Sequence, residues 1–365
     1  DTTARAALVI DYDTGTVLLE KNADALLPPA SMSKLMTLYM VFEALDQGRL
    51  ALSDTYRVST KASQMGGSKM FLRDGETVSI EDLIRGIIVQ SGNDACVVVA
   101  EGMAGSESAF ANRMTRRARE LGMMNSTFAN ATGWPHPDHL MSTKDLATLA
   151  MLLIREFPQY YPYFAETVFT WDGITQENRN PLLPLDLGAD GLKTGHTEEA
   201  GFGLVGSAEQ DGRRLITVVT GLNTARDRLV ESERLLTWGF REFTTSTLFA
   251  GETEVAQADV WLGTMGAVPL VTKDPLTAVI AFQDQDKLQA HVHYTGPIEA
   301  PISKGDAIAQ LVVTTPEIGE TRYDLYAGAD VPRGGFMSRF RAAAQVLSSK
   351  ALETAFGSAT PPAAQ

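Results

Sequence analysis

The sequence predicts an α+β fold: one antiparallel sheet covered by helices on both faces, then a small all-β sandwich domain and a C-terminal amphipathic helix. Three observations predict it. Strand patterns open the chain and return near residue 190, with a long stretch of helical periodicity between them. Strands at both ends of a helical region fit one sheet whose first and last strands meet in space. From about Thr245 the pattern changes to short strands divided by Gly, Pro and Asp. The expected divisions are 1–245, 246–332 and 333–365.

Each element has a local reason. "ALVIDYDTGTVLLE" reads as two strands about an Asp-Thr-Gly turn. "PPASMSK" leads abruptly into the helical "KLMTLYMVFEALDQG". "SIEDLIRGIIVQ" begins with a serine cap and an acidic first turn, and "STKDLATLAMLLIREF" with a Ser or Thr cap and an aspartate in its first turn. "NDACVVVAEGMAG" and "SESAFANRMTRRARELG" continue with helical spacing. "GLKTG", "GFGLVGSAEQ" and "RRLITVVTGL" are strand-like, the last two joined by a "DGR" turn. "ARDRLVESERLLTWGFREF" is an amphipathic helix with Leu229, Leu235, Leu236, Trp238 and Phe240 as its apolar positions. Beyond it, "TEVAQADVWLG", "PLTAVIAF", "LQAHVHYTG", "AIAQLVVTT" and "RYDLYAGADV" supply the small β domain. In the tail, Phe336, Phe340, Ala343, Ala344, Leu347, Ala351 and Ala355 form one stripe of a helix, ahead of a Pro/Ala-rich end.

Composition narrows the function. Hydrophobic residues make up 44% and charged residues 21%, enough for a sizeable core. A net charge of −14 argues against nucleic acid, whose phosphates need clustered Lys and Arg. No apolar run is long enough to span a bilayer. The single cysteine, Cys96, has no internal disulfide partner. The opening "DTTARAALVI" lacks a starting methionine and fits a mature secreted chain or one trimmed at its start.

The chemistry begins at Ser31 and Lys34. One helical turn apart, they share a face with Cβ atoms about 5–6 Å from each other. A serine hydroxyl is a poor nucleophile until a base takes its proton, and lysine is a base only when its pKa is lowered. Burial, a neighbouring cation and the positive end of a helix all lower it. Alone the pair is a weak signal. Two more stretches strengthen it: "QSGND" sets Ser91, Gly92 and Asn93 between two helices, and "DGLKTGHTEEAGF" sets Lys193, Thr194 and Gly195 on a strand. Ser-x-x-Lys, Ser-Gly-Asn and Lys-Thr-Gly in that order are the signature of penicillin-recognising serine acyltransferases.

"PPASMSKLMT", "MFLRDGETVSIEDLIRGIIVQSGNDAC" and "DGLKTGHTEEAGFGLVGSA" resemble the low-molecular-mass D-alanyl-D-alanine carboxypeptidases, penicillin-binding proteins of the penicillin-binding protein 5 type. The resemblance spans nearly the whole chain and implies a β-lactamase/transpeptidase-like first domain. It makes Ser31 the nucleophile and Lys34 its base. Ser91 relays a proton to the leaving amine, and Asn93 orients Lys34 and the substrate amide. Lys193 and Thr194 meet the substrate carboxylate, with Gly195 beside them. The backbone N–H groups of Ser31 and His196 form the oxyanion hole. Arg179 and Ser68 line the cleft. The implied partners are peptidoglycan stem peptides ending in D-Ala-D-Ala, β-lactams and, through the tail, a membrane surface. No cofactor or metal is implied, and the location is periplasmic.

Other readings compete at single residues. Cys96 fits a small packed residue better than a second nucleophile. His136, Asp138 and His139 read as a surface loop rather than a metal site, and His291 and His293 as a solvated strand edge. Trp134 and Tyr160 to Tyr163 read as packing. A serine β-lactamase of class A needs a glutamate after the second motif, and none occurs between Leu121 and Lys144. A D,D-endopeptidase of the same fold and a catalytically idle envelope scaffold are the remaining alternatives.

Overall fold

A computed structural model describes residues 1–335; the tail helix expected from Phe336 lies outside them. The chain forms two compact units, Asp1–Glu242 and the part from Phe243 onward.

In the first unit a hairpin, β1 (Ala6–Asp11) and β2 (Val17–Lys21), precedes a 3₁₀ turn, Ala30–Ser33, and α1 (Lys34–Asp46). The short strands β3 (Thr55–Arg57) and β4 (Thr77–Ser79) pair around α2 (Thr60–Ser63). Helices α3 (Ile80–Ile88), α4 (Asn93–Ala104), α5 (Glu107–Glu120) and α6 (Thr143–Glu156) follow. Ser79, Ser106 and Ser142 each accept a backbone N–H three residues on, at 3.1, 3.2 and 3.1 Å, so serine caps start α3, α5 and α6, of which the sequence pattern predicts a cap for α3 and α6. A small hairpin, β5 (Val168–Trp171) with β6 (Ile174–Glu177), leads to β7 (Ala189–Thr197), β8 (Gly201–Gln210), β9 (Arg213–Leu222) and α7 (Ala225–Glu242).

The main sheet runs β2-β1-β9-β8-β7, and β1 pairs antiparallel with β9 from Ala6↔Thr220 to Asp11↔Leu215. First and last strands do meet, as expected. Alternation divides the strands between two cores. Leu8, Ile10, Ile216 and Val218 face the large helical core, whereas Ala7, Val9, Leu215 and Val219 face the core that holds Leu235 and Leu236 of α7. Helices therefore cover both faces.

Helix α1 is buried on nearly every side, from Lys34 through Leu45. A helix that is apolar all round belongs in the interior. Phe42 anchors it, stacking on Tyr160 at 5.3 Å and meeting Phe157 and Phe164 edge-on at 6.0 and 6.2 Å.

The second unit joins a six-stranded sheet and a two-stranded ribbon over one core that includes Leu270, Leu311 and Leu325. All five predicted strand segments are present. Three strands of this unit escape the sequence pattern, the shortest being the two-residue Ile298–Glu299. Phe243–Phe249 follows directly on the helical periodicity of α7. Ala267–Val271 contains Pro269, which pairs with Gln257 on one side and sits just beyond the end of the ladder on the other. His291 and His293 stand exposed on an edge strand, as expected.

Replacing Phe42 with Ala should cost about 3–5 kcal/mol, the usual range for emptying an aromatic site in a core. Urea unfolding followed by fluorescence measures it. A loss below ~1 kcal/mol would mean that the aromatic cluster does not hold α1 in place.

Candidate active site

The chain reaches Ser31 through Pro28, Pro29 and Ala30, and Ala30 holds a left-handed φ of +49°. Residues 30–33 form a 3₁₀ turn, not the first α-helical turn that the spacing suggested. In a 3₁₀ turn, residues three apart eclipse each other. Lys34 Nζ consequently lies 2.7 Å from Ser31 Oγ and donates to it. Lys34 is 0% exposed, and this burial lowers its pKa to about 8. Arg179 pushes the same way, while Cys96 and Asp94 oppose it. At pH 7 roughly one molecule in ten then carries the free amine, whose lone pair can take the serine proton.

Ser91 sits in the elbow between α3 and α4 with a φ of +55° and is 2% exposed. Lys193 donates to Ser91 Oγ at 3.0 Å and to the Thr194 carbonyl at 3.2 Å. Burial holds Lys193 well below the ordinary lysine range, helped by the neighbouring cations Lys34 and Arg179. Asn93, at the start of α4, grips the facing loop: its N–H donates to the Ser68 carbonyl at 2.8 Å and its Nδ2 to the Gly66 carbonyl at 2.9 Å. Buried Asp94 accepts the N–H groups of Met70 and Leu72 at 2.9 and 3.1 Å. One helix end thus positions the whole loop 66–72.

Strand β7 is the edge of the main sheet and lies along the nucleophile turn. Gly195 makes this approach possible, since a Cβ there would come within 2.9 Å of the Pro29 carbonyl and 3.2 Å of the Met32 nitrogen. Beyond it His196 stacks on Phe202, ring centres 3.8 Å apart.

Two lobes of a cleft meet at Ser31. The first, about 260 Å³, is lined by Ser91, Arg179, Thr194, Gly195 and Arg228 among others. Arg179 donates to Ser68 Oγ. Arg228, from α7, lies over the Phe202 ring at 5.6 Å, and its buried Nε has no hydrogen-bond partner. Burial depresses both guanidinium pKa values, so this lobe holds cations short of an anion. The second lobe, about 230 Å³, is lined by Asn93, Thr132, Gly133, Trp134 and Thr197 among others.

The structure brings together Ser31, Lys34, Ser68, Ser91, Asn93, Arg179, Lys193, Thr194, Gly195 and His196. Asn93 holds the facing loop, whereas the resemblance implied that it orients Lys34. Cys96 is fully buried, and burial pushes its thiol up to about 12, an inert packed residue. In the "HPDH" loop, His136 and Asp138 are exposed, but His139 is 2% exposed and accepts the Ala129 N–H through Nδ1 at 3.2 Å. Two residues escaped the sequence reading. Arg228 looks like any base on the polar face of α7, and Trp134 was expected to pack, yet it is 47% exposed at the cleft.

The D-alanyl-D-alanine carboxypeptidase model of peptidase family S11 matches residues 1–224, and the model of the penicillin-binding protein 5 C-terminal domain matches residues 243–333. The chain belongs to the D-alanyl-D-alanine carboxypeptidase family. It is 39% identical over 344 residues to the D-alanyl-D-alanine carboxypeptidase DacC of Escherichia coli (strain K12), covering 92% of this chain and 86% of that one. Penicillin-binding protein 5 from Haemophilus influenzae has a similar structure, with a TM-score of 0.83 and 34% identity over 91% of this chain and 98% of that one. Penicillin-Binding Protein D2 from Listeria monocytogenes, in its ampicillin-bound form, matches with a TM-score of 0.61 and 33% identity over 66% of this chain and 98% of that one. The fold expected from the motifs is the family's own.

Lys34 should titrate near pH 8, charged below and neutral above. Carbon-13 NMR of labelled lysine Cε, assigned with Lys34→Arg, measures it. A midpoint near the ordinary 10.5 would show that burial does not govern this amine.

Proposed function

We propose that this chain is a serine-type D-Ala-D-Ala carboxypeptidase that trims the terminal D-alanine from peptidoglycan stem peptides. The observation that carries the reading is the fully buried Lys34 amine, 2.7 Å from the hydroxyl of Ser31.

Ser31 Oγ attacks the carbonyl of the penultimate D-alanine while its proton passes to Lys34 Nζ. The backbone N–H groups of Ser31 and His196 stabilise the developing oxyanion. As the C–N bond breaks, Ser91 Oγ, which Lys193 touches at 3.0 Å, relays to the leaving amine the proton that Lys34 took up, so Lys34 is neutral again for the attack of water. The terminal carboxylate lies in the cationic lobe with Thr194, Arg179 and Arg228, where it supplies the anion that these guanidiniums lack. Water then cleaves the Ser31 ester and releases the shortened peptide. Asn93 holds the wall opposite and faces the substrate amide.

A β-lactam enters by the same route, because its strained amide lies beside a carboxylate as the D-Ala-D-Ala bond does. The ampicillin-bound relative supports this reading. Its ring opens without a leaving group that can diffuse away, so the acyl-enzyme persists. We place the enzyme in the periplasm, where its substrate lies, held to the membrane surface by the tail after Arg333. Among the described residues no helix is long and apolar enough to cross a membrane.

Intact-mass spectrometry should find one penicilloyl adduct on the chain, and D-alanine should be released from a peptide ending in D-Ala-D-Ala. Ser31→Ala should abolish the adduct and lower release at least roughly a thousandfold, with Lys34→Ala close behind. An adduct that persists in Ser31→Ala removes the assignment. Deleting residues after Arg333 should free the protein from anionic vesicles without loss of D-alanine release. Equal pelleting of both forms would exclude the tail as anchor.

A further inference from the structure

The two lobes that meet at Ser31 differ in chemistry. One is lined by Arg179 and Arg228 and suits a carboxylate. The lining of the other includes no Asp, Glu, Lys or Arg, and its largest apolar surface is Trp134. A substrate whose leaving group occupies the cationic lobe must extend its acyl side past this indole.

Trp134 is held rigidly. Asn130 Oδ1 accepts the N–H groups of Thr132 and Gly133 at 3.2 and 2.8 Å, and Asn130 Nδ2 donates to the Trp134 carbonyl at 2.9 Å. Thr132 Oγ1 accepts the Trp134 N–H at 3.0 Å. Gly133, with a φ of +84°, presses this turn onto the chain just ahead of Ser31: a Cβ there would lie 1.9 Å from the Ala30 carbonyl oxygen. The indole edge rests on bare backbone across the cleft. A Cβ at Gly66 or Gly67 would come within 3.2 or 3.3 Å of the ring. Yet nearly half of this tryptophan remains exposed. An aromatic surface already fixed in place loses little freedom when a ligand covers it, so contact with it translates into affinity.

We infer that Trp134 is the specificity-determining residue of the acyl side. It takes an aromatic or aliphatic group carried a few bonds beyond the carbonyl that Ser31 attacks. This rests on the acyl-transfer reading proposed above.

Two β-lactams with the same ring system test it. Benzylpenicillin carries a phenylacetyl group at that position, and 6-aminopenicillanic acid carries a bare amine. The ratio of their second-order acylation rate constants, followed by intact mass on the full chain, is the readout. Trp134→Ala should lower the ratio roughly tenfold, the scale of one lost aromatic contact, whereas Trp134→Phe should keep it within about threefold. A ratio that does not move overturns the inference, whether both rates fall together, as a purely structural role demands, or neither changes. Adducts at Ser31 with an unmoved ratio would sink the Trp134 assignment alone. Absence of any adduct on the unaltered chain would sink the acyl-transfer reading and this inference with it.

Discussion

A lysine buried at the start of an apolar helix is the constraint on which the rest of the structure depends. Helix α1 is enclosed on nearly every side, and Lys34 is carried into that enclosure with it. Burial of an ammonium is costly, and the cost appears as a pKa near 8. The same placement leaves the amine one partner in reach on its own turn, the hydroxyl of Ser31 at 2.7 Å. The 3₁₀ geometry of residues 30–33 makes that contact short by eclipsing the two side chains. Packing sets the pKa, and local backbone geometry sets its target.

The sheet and the helical elbow complete the site by bringing other groups to this pair. Strand β7 is an edge, so its backbone is open to an extended ligand, and Gly195 lets it lie against the nucleophile turn. Asn93 and Asp94 pin the loop 66–72 from the opposite side. Under β7, Tyr161 and Arg214 both donate to Asp190, at 2.9 and 2.8 Å, which fixes the strand ahead of Lys193. Two buried lysines, the half-buried Arg228 and the exposed Arg179 converge here, and among the described residues none has an acidic partner in hydrogen-bond contact. A folded protein tolerates that imbalance where an anionic ligand completes it.

Much of this was legible in the sequence because the decisive chemistry is local. Ser31 with Lys34, Ser91 with Asn93, and Lys193 to Gly195 each fall within four residues, so spacing reveals them. What spacing cannot reveal is contact across the chain. Arg228 shares α7 with Arg226, Arg234 and Arg241, and only the fold selects the one that overlies Phe202. His139 looks like a loop residue until Phe128 and Ala129 fold over it. Trp134 sits in a turn rich in hydrogen bonds, and nothing in its neighbours says that its face stays open. The strand at Ala267–Val271 was hidden by Pro269, whose missing donor coincides with the end of a ladder.

The central claim is that the free amine of Lys34 takes the proton of Ser31. The pH dependence of acylation by benzylpenicillin tests it most directly, because benzylpenicillin itself does not titrate in the range concerned. The second-order rate constant should rise with pH along a single limb centred near 8, as the neutral amine accumulates. A profile that is flat from pH 6 to 10, or one whose limb is unchanged in Lys34→Ala, would contradict the account.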